Sequence, residues 1–551
     1  MQGEIFYKKT PPAKTKMSFL MPFLYLVLGV LLALPLVFEG AFFAVVCWGC
    51  AAPVMGLMMR RDCGGKMRHV YRDGMMFFLG YGVTVFHWFI YLYPLEFTGM
   101  SKPAAAAVVV VSWIGLPLLQ SLVLGAQFVV FMMLRRLKFF EERKALQPLI
   151  LAALWVIFEW TQTLTWAGVP WAKLAMSQLG ATALVQSVSL FGTYFLSFLI
   201  VLAGGYIALA FDEMRSGRKS RAVKCAAVAA VLFFSNLICG AVLLATYEDE
   251  GESVKVAAIQ ANVNSSDKWE KGRTDRIFDA LASLSRQAAD DGAELIVWAE
   301  TAVPRHIASD KYARQFLHDL AIETDAEYLV GAFTTDYGRD EETNSYNSIV
   351  HVLRDGEIKA DAGEPYHKRH IVPFGEFLPL RPLIEIFIPP LAELNMFEDE
   401  IVNGTDSRLH ETQSGKVGSL ICFDSIYESL TRATVLDGAE FLAISTNDSW
   451  FYDSAAVYQH NRHASLRAIE TRRYVIRSAN TGISSLINPT GEVEQLLEPL
   501  VEGYITGDVK LRSDITPYTR TGNVIVWAAM LFICTVTAVG LIDKKTKGKL
   551  F

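Results

Sequence analysis

Residues 215–246 read RSGRKSRAVKCAAVAAVLFFSNLICGAVLLAT, and 247–252 continue as YEDEGE. A cluster of cations abuts an apolar run, and an acidic, polar segment follows it directly. A bilayer core of roughly 30 Å needs about 20 apolar residues, so 225–246 is long enough to cross. Lys and Arg gather on the cytoplasmic side of such a span, which puts Arg215, Arg218, Lys219, Arg221 and Lys224 inside and residue 247 outside. The same pattern extends in both directions. Apolar stretches are predicted at 18–37, 39–58, 73–94, 105–134, 148–160, 185–211, 225–246 and 524–542. The fifth is the weakest of them, closed by Glu159 and Thr161.

The connections alternate in charge. Lys8, Lys9, Lys14 and Lys16 precede the first stretch; Arg60, Arg61, Lys66, Arg68 and Arg72 follow the second; Arg135, Arg136, Lys138, Arg143 and Lys144 follow the fourth. Lys544, Lys545, Lys547 and Lys549 follow the last, while the intervening short loops carry only Lys102 and Lys173. Both termini are therefore expected in the cytoplasm, and 247–523 outside it. The chain divides into a transmembrane region, 1–246, with seven helices, an outer domain, 247–523, and a last helix with a basic tail, 524–551. No small-x-small site follows the first stretch and further spans do, so it is read as a retained helix and not a cleaved signal.

Composition agrees. Hydrophobic residues make up 52% of the chain, and the net charge of −6 conceals basic loops set against an acidic outer domain. No basic patch interleaved with aromatics suggests nucleic acid. Of seven cysteines, Cys47, Cys50, Cys225, Cys239 and Cys534 lie in or beside apolar stretches and Cys63 in a cytoplasmic loop. Cys422 alone lies in the outer domain. An exported compartment favours disulfides, so a thiol without a partner there is either buried and inert or reactive.

Within 247–523, strands are predicted at 254–260, 294–299, 327–334, 346–353, 416–423, 440–445 and 474–487 from apolar, β-branched runs. Between them, Ile277, Leu281 and Leu284, then Tyr312, Phe316, Leu317 and Leu320, recur at helical spacing. Alternating strands and helices imply an α/β sandwich. Residues 377–397, FLPLRPLIEIFIPPLAELNMF, are apolar but too rich in proline to span. They form either a buried loop or an arm on the bilayer, and Leu383 and Phe387 are the candidate lipid contacts.

Three residues at or near strand ends could do chemistry together: Glu300 after ELIVWA, Lys368 in YHKRHIVPFGE and Cys422 in SLICFDS. Strand ends in α/β folds converge on one crevice. A carboxylate there can take the thiol proton, and an ammonium can stabilise a thiolate or an oxyanion. Each alone is as well explained by a solvated cap, a surface lysine or an inert core thiol.

The segments VWAETAVP, YHKRHIVPFGEFLP and SLICFDS resemble the Glu, Lys and Cys signatures of the nitrilase superfamily. The stretch TNDSWFYDSAAVYQHNRHASLRAIETRRYVIRSANTGISSLINPTGEV, and the outer domain's place between seven spans and one, resemble its membrane-embedded branch, the apolipoprotein N-acyltransferases. The resemblance implies a polytopic α-helical membrane domain carrying an α/β–β/α sandwich on the periplasmic face of a bacterial inner membrane. It implies Glu300 as general base, Lys368 as oxyanion stabiliser and Cys422 as the nucleophile that carries an acyl thioester. Glu376 resembles a second acid near the triad, and Trp269 a tryptophan on an arm near the site. Where the family often has Tyr-Glu after the nucleophile, this chain has Phe423-Asp424, an acid shortened by one methylene. The implied substrates are a phospholipid donor, with phosphatidylethanolamine the expected headgroup, and a diacylated apolipoprotein acceptor, with no cofactor.

Weaker signals remain. Trp166, Pro170 and Trp171 in an outer loop are either interfacial anchors or substrate contacts, and Trp171 joins Leu383 and Phe387 as a candidate lipid-entry contact. His460 and His463 share a helix face, but no further Cys or His completes a metal site, and none is expected. Arg472 and Arg473 could meet phosphate or form structural pairs. Gly180 and other lone glycines make no phosphate-binding signature. A tethered amidase using water, or a lipoprotein-binding scaffold without chemistry, stays open on the residues alone.

Overall fold

The computed structural model describes residues 17–95, 100–264, 268, 274–307, 309–337, 343–361, 363–387 and 401–547. Seven helical segments in it are long and apolar enough to cross a membrane: Leu20–Val37, Ala41–Arg60, Lys102–Arg135, Lys144–Thr163, Thr193–Arg215, Lys219–Ala245 and Val524–Lys545. The stretch predicted at 73–94 differs. It is a helix, Met67–Val85, followed by a 3-10 turn, His87–Leu92. Its first turns carry Arg68, Arg72 and Asp73, too polar for a span by composition. Asp73 is buried and accepts from Arg61 at 2.6 Å and Arg72 at 2.8 Å. This helix lies directly against Met17–Val37, with Gly80 so close to Leu26 that an added Cβ would sit 2.2 Å from its carbonyl oxygen. Small residues permit such approaches between apolar helices, where packing supplies the attraction.

The stretch predicted at 185–211 is also interrupted. Short helices Thr182–Val185 and Val188–Phe191 precede Gly192, and the long helix begins at Thr193. Gly192 has φ 80°, and a Cβ there would meet the Tyr518 ring at 2.4 Å. Only glycine accommodates both conditions at once.

The domain that follows is built from two sheets. Among the described residues one has eight strands, with the order Gly503–Lys510, Ser253–Gln260, Leu295–Val297, Glu327–Tyr337, Thr343–Val352 and Ile358–Lys359, plus Val303–His306 paired with Glu327–Tyr337 and Tyr366–His367 paired with Thr343–Val352. The other has six strands, ordered Val493–Leu497, Ser484–Ile487, Val475–Ala479, Phe441–Thr446, Gly415–Ile421 and Leu409–Thr412. Strand side chains alternate between faces. Ala257, Ile259, Ile296 and Trp298 point outward to the helices Thr274–Asp290 and Lys311–Thr324. Val256, Ala258, Leu295 and Val297 point inward, where they meet Val417, Ile421, Phe441 and Ile476 of the second sheet. Ala464 and Ala468, on the helix Ala455–Thr471, and Val435 cover the far face of that sheet. The result is an α/β–β/α sandwich: the α/β sandwich read from the strand and helix alternation, in the layered form that the resemblance implies.

Caps fix where helices begin. Asp310 accepts from the amides of Tyr312 and Ala313, and Ser454 from that of Ala456. The predicted strand 474–487 is two antiparallel strands with a turn between, and 416–423 stops at Ile421 because Cys422 turns the chain.

The sandwich sits on the helical bundle through a continuous apolar core. Phe423, Ile426, Tyr427, Ala456, Leu466 and Ile469 share that core with Trp88, Trp155, Trp171 and Leu174. Polar ties cross the same seam: Gln186 Nε2 donates to the Thr490 carbonyl at 2.9 Å, and Arg462 Nη2 to that of Met176 at 2.9 Å.

Candidate active site

Glu300 follows the short parallel strand Leu295–Val297, Cys422 follows Gly415–Ile421, and Lys368 follows the two-residue strand Tyr366–His367. The fold brings the three together. Lys368 Nζ lies 2.9 Å from Glu300 Oε1 and 2.8 Å from Glu376 Oε1, and all three side chains are buried. Burial works against the lysine charge, but the two carboxylates outweigh it and hold Lys368 well above the usual lysine range. Burial likewise raises the Glu376 carboxyl, with Lys368 opposing.

Two groups that the sequence did not single out complete this frame. Asn347 Nδ2 donates to Glu300 Oε1 at 2.7 Å and to Glu376 Oε1 at 3.1 Å. The Asn447 amide donates to Glu300 Oε2 at 2.9 Å. Both oxygens of Glu300 are thereby fixed. Lys268 is a third omission. Its buried ammonium reaches Thr301 Oγ1 at 2.6 Å and the Glu300 carbonyl at 3.3 Å, and burial pushes it down to about 8. Its neighbour Trp269 lies outside the described residues.

Cys422 has φ 46°, a strained left-handed value for a side-chain-bearing residue, and opens a 3-10 turn, Cys422–Ile426. Burial pushes its thiol well up; Glu300 adds to this and Lys368 opposes it. The resting group is a thiol beside a carboxylate and an ammonium, able to ionise as its proton is taken.

Asp424 is fully buried, and its carboxylate is taken up by backbone amides and a tyrosine. It accepts from the amides of His370 at 2.7 Å, Arg369 at 3.2 Å and Ile421 at 3.2 Å, and from Tyr366 Oη at 2.7 Å. It ties the loop after Lys368 to the turn of Cys422. Four such donors are a structural assignment, and the shorter acid reaches all of them. Phe423 packs edge-on against Tyr427, with ring centroids 5.5 Å apart.

Other candidates resolve differently. Trp171 is only 5% exposed, and its Nε1 donates to Gln459 Oε1 at 2.7 Å. It belongs to the seam between domains, so the structure corrects its reading as a lipid contact. Pro170 is buried nearby, whereas Trp166 is 37% exposed and packs edge-on against Phe374. Leu383 and Phe387 fall on the helix Arg381–Phe387, but their side chains, and all of 388–397, lie outside the described residues. Arg472 and Arg473 serve backbone carbonyls, those of Pro489 at 2.7 Å and Ala439 at 2.8 Å. Gly180 packs against the backbone of Gly40, with no phosphate-like cradle.

Donor atoms of Cys422, Asp448 and His460 lie within 4.8 Å of one another, a grouping the sequence did not suggest. Arg477 Nη2 already stands 2.7 Å from Asp448 Oδ2 and 3.1 Å from His460 Nδ1. A guanidinium in that place opposes a metal cation.

Comparisons with known proteins agree with this architecture. The family model for carbon-nitrogen hydrolases matches residues 255–518, and that for the apolipoprotein N-acyltransferase N-terminal domain matches 28–206. The chain is 31% identical over 405 residues to an apolipoprotein N-acyltransferase of Geobacter metallireducens, covering 72% of this chain and 75% of the relative. It is 29% identical over 388 residues to one of Methylococcus capsulatus, covering 69% and 71%. Among solved structures, Nit3 of Saccharomyces cerevisiae, a nitrilase-superfamily protein, aligns with TM-score 0.36 and 18% identity over 48% of this chain and 92% of its own. On the strength of the Geobacter relative and the two matching domain models, the chain belongs to the apolipoprotein N-acyltransferase family, a membrane-embedded acyltransferase branch of the nitrilase superfamily.

Proposed function

We propose that this acyltransferase moves a fatty acyl chain from a phospholipid, phosphatidylethanolamine foremost, to the α-amine of the S-diacylglyceryl cysteine at the start of a lipoprotein. The observation that carries the reading is buried Glu300 and Lys368 beside half-buried Cys422, in a domain packed on a bundle of membrane-length helices. In the first half-reaction Glu300 takes the Cys422 proton and the sulfur attacks the ester carbonyl. Lys368 and the Phe423 amide receive the oxyanion. The C–O bond breaks, Glu300 returns its proton to the leaving lysophospholipid, and a thioester remains. In the second, the lipoprotein amine attacks, Glu300 accepts its proton, and the thiolate departs from a new amide. A covalent intermediate makes the kinetics ping-pong.

The reading includes topology. The basic loops support a reading with both termini in the cytoplasm, the sandwich on the periplasmic face of the inner membrane, and the chain divided at 1–246, 247–523 and 524–551. Each buried methylene of a lipid chain is worth about 0.8 kcal/mol, so extraction of either substrate would be costly. A site at the bilayer surface avoids that cost. Phe374, Leu380 and Ile386 expose 56, 55 and 69% of their surfaces on the segment that carries Glu376. We assign them, with Leu383 and Phe387, to the lipid entrance. Ile386→Asp is expected to slow acyl loading by about tenfold, the size of one lost apolar contact, with Cys422 alkylation unchanged. Loading at the normal rate would remove the entrance from this segment.

Intact-protein mass spectrometry after incubation with phospholipid tests the function. Wild type should gain one acyl chain on Cys422 and lose it to a diacylated lipopeptide, and Cys422→Ala should do neither. Turnover of a small amide without lipid would instead favour an amidase. Full biological activity of Cys422→Ala would favour a scaffold.

A further inference from the structure

Behind the nucleophile lies a buried polar chain that the mechanism above does not use. His460, on the helix Ala455–Thr471, places Nε2 3.1 Å from the Cys422 carbonyl oxygen. Ser425 Oγ donates to that same oxygen at 2.7 Å and lies 3.1 Å from Nε2. A carbonyl only accepts, so with a proton on Nε2 the imidazole donates to it. The other side of the ring is held firmly. Nδ1 lies 2.9 Å from Asp448 Oδ1, and Arg477 Nη2 bonds Asp448 Oδ2 at 2.7 Å. Arg477 and Asp448 are fully buried and His460 is 1% exposed. The ring face is set by Trp171, 5.5 Å away between centroids, and the Trp171 indole is set by Gln459.

The carbonyl of Cys422 and the amide of Phe423 belong to one peptide plane and point in opposite directions. Two donors on the carbonyl therefore aim the amide, and withdraw electron density from it. That amide sits in the first turn of a 3-10 helix, where no carbonyl within the helix reaches it. We propose that His460, braced by Asp448 and Arg477, is a positioning residue that orients and polarises the Cys422–Phe423 peptide as an oxyanion donor. Because Trp171 comes from the membrane bundle, seating of the sandwich on the bundle and alignment of this donor are one arrangement. The proposal rests on the reading of Cys422 as the acyl-carrying nucleophile.

The test compares His460→Leu, His460→Gln and Ser425→Ala in the full-length enzyme in detergent. Acyl loading from phospholipid and alkylation of Cys422 by iodoacetamide are measured side by side. His460→Leu should load about 100-fold more slowly, the loss typical of one misplaced oxyanion donor, with KM for phospholipid little changed and alkylation within about threefold of wild type. A glutamine side-chain amide at this position reaches the same carbonyl, so His460→Gln should recover at least about tenfold. Ser425→Ala keeps the helix intact and should lose about tenfold. Normal loading in His460→Leu, alkylation falling in step with loading, or no recovery in His460→Gln would overturn the proposal. Should wild type form the amide product without any thioester, the covalent reading fails; the same losses are then sought in amide formation, and their absence there overturns the proposal.

Discussion

Glu300→Gln is expected to abolish acyl transfer while making Cys422 easier to ionise. The two effects run in opposite directions, which separates catalysis from thiol chemistry. Glutamine keeps the shape of the side chain and its acceptor towards Lys368 Nζ, which lies 2.9 Å from Glu300 in wild type. It cannot accept the thiol proton, nor return one to the leaving alcohol. General-base and general-acid contributions are each typically 10²–10⁴-fold, so a loss of about 10³-fold or more in loading is expected. The thiol responds otherwise. Burial raises it most, and the Glu300 charge is the next cause. Removing that charge lowers the thiol, and it leaves Lys368 with Glu376 as its one carboxylate partner and freer to stabilise a thiolate. The pH midpoint for alkylation of Cys422 should therefore move down. Measured together, a midpoint that rises, or transfer retained within tenfold, would remove Glu300 from the role of base.

Much of this arrangement is legible in the chain before any coordinates. Basic loops are set by a rule that acts on loops alone, so Arg60, Arg61, Arg135 and Arg136 locate helix ends without any knowledge of packing. The sandwich strands carry apolar, β-branched runs strong enough that 254–260 and 440–445 fall within a residue of Ser253–Gln260 and Phe441–Thr446. What sequence could not supply is pairwise. Asn347 and Asn447 look like ordinary polar residues; only the fold puts one beside both carboxylates and the other's amide beside Glu300. The edge strand Gly503–Lys510 escaped because it is half exposed, with a weak apolar alternation. The predicted third span overreached because the apolar run after Asp73 is genuine, while the helix that contains it begins at Met67 among charges. Trp171 was misread for a similar reason: a tryptophan in an outer loop resembles an interfacial anchor until the partner that buries it is known.

Lys173 is the instructive exception in the loop charges, and replacing it should cost more stability than any other surface-like substitution in the membrane region. It is a lysine on the side where lysines are scarce, and the structure explains it by pairing. Its ammonium is 1% exposed and forms an ion pair with Glu428 of the sandwich. Glu428 also accepts from Asn523 at 3.2 Å and has Arg467 3.9 Å away; Arg467 in turn lies 3.1 Å from Glu470. Two cations and two carboxylates thus form a neutral, buried junction between the helical bundle and the catalytic domain. Burial opposes the Glu428 charge, but Lys173 and Arg467 hold its carboxyl down at about 2. Lys173→Met strands that carboxylate with a distant guanidinium. Removing one partner of a buried pair typically costs about 3–5 kcal/mol, because the other charge stays desolvated. Thermal unfolding in detergent should fall by roughly 5 °C. Replacing a whole buried pair with apolar residues is often neutral, and Arg467 and Glu470 still balance each other, so Lys173→Met combined with Glu428→Leu should regain most of the loss. A single variant as stable as wild type, or a double variant no better than the single, would mean that the sandwich is held on the bundle by the apolar seam alone.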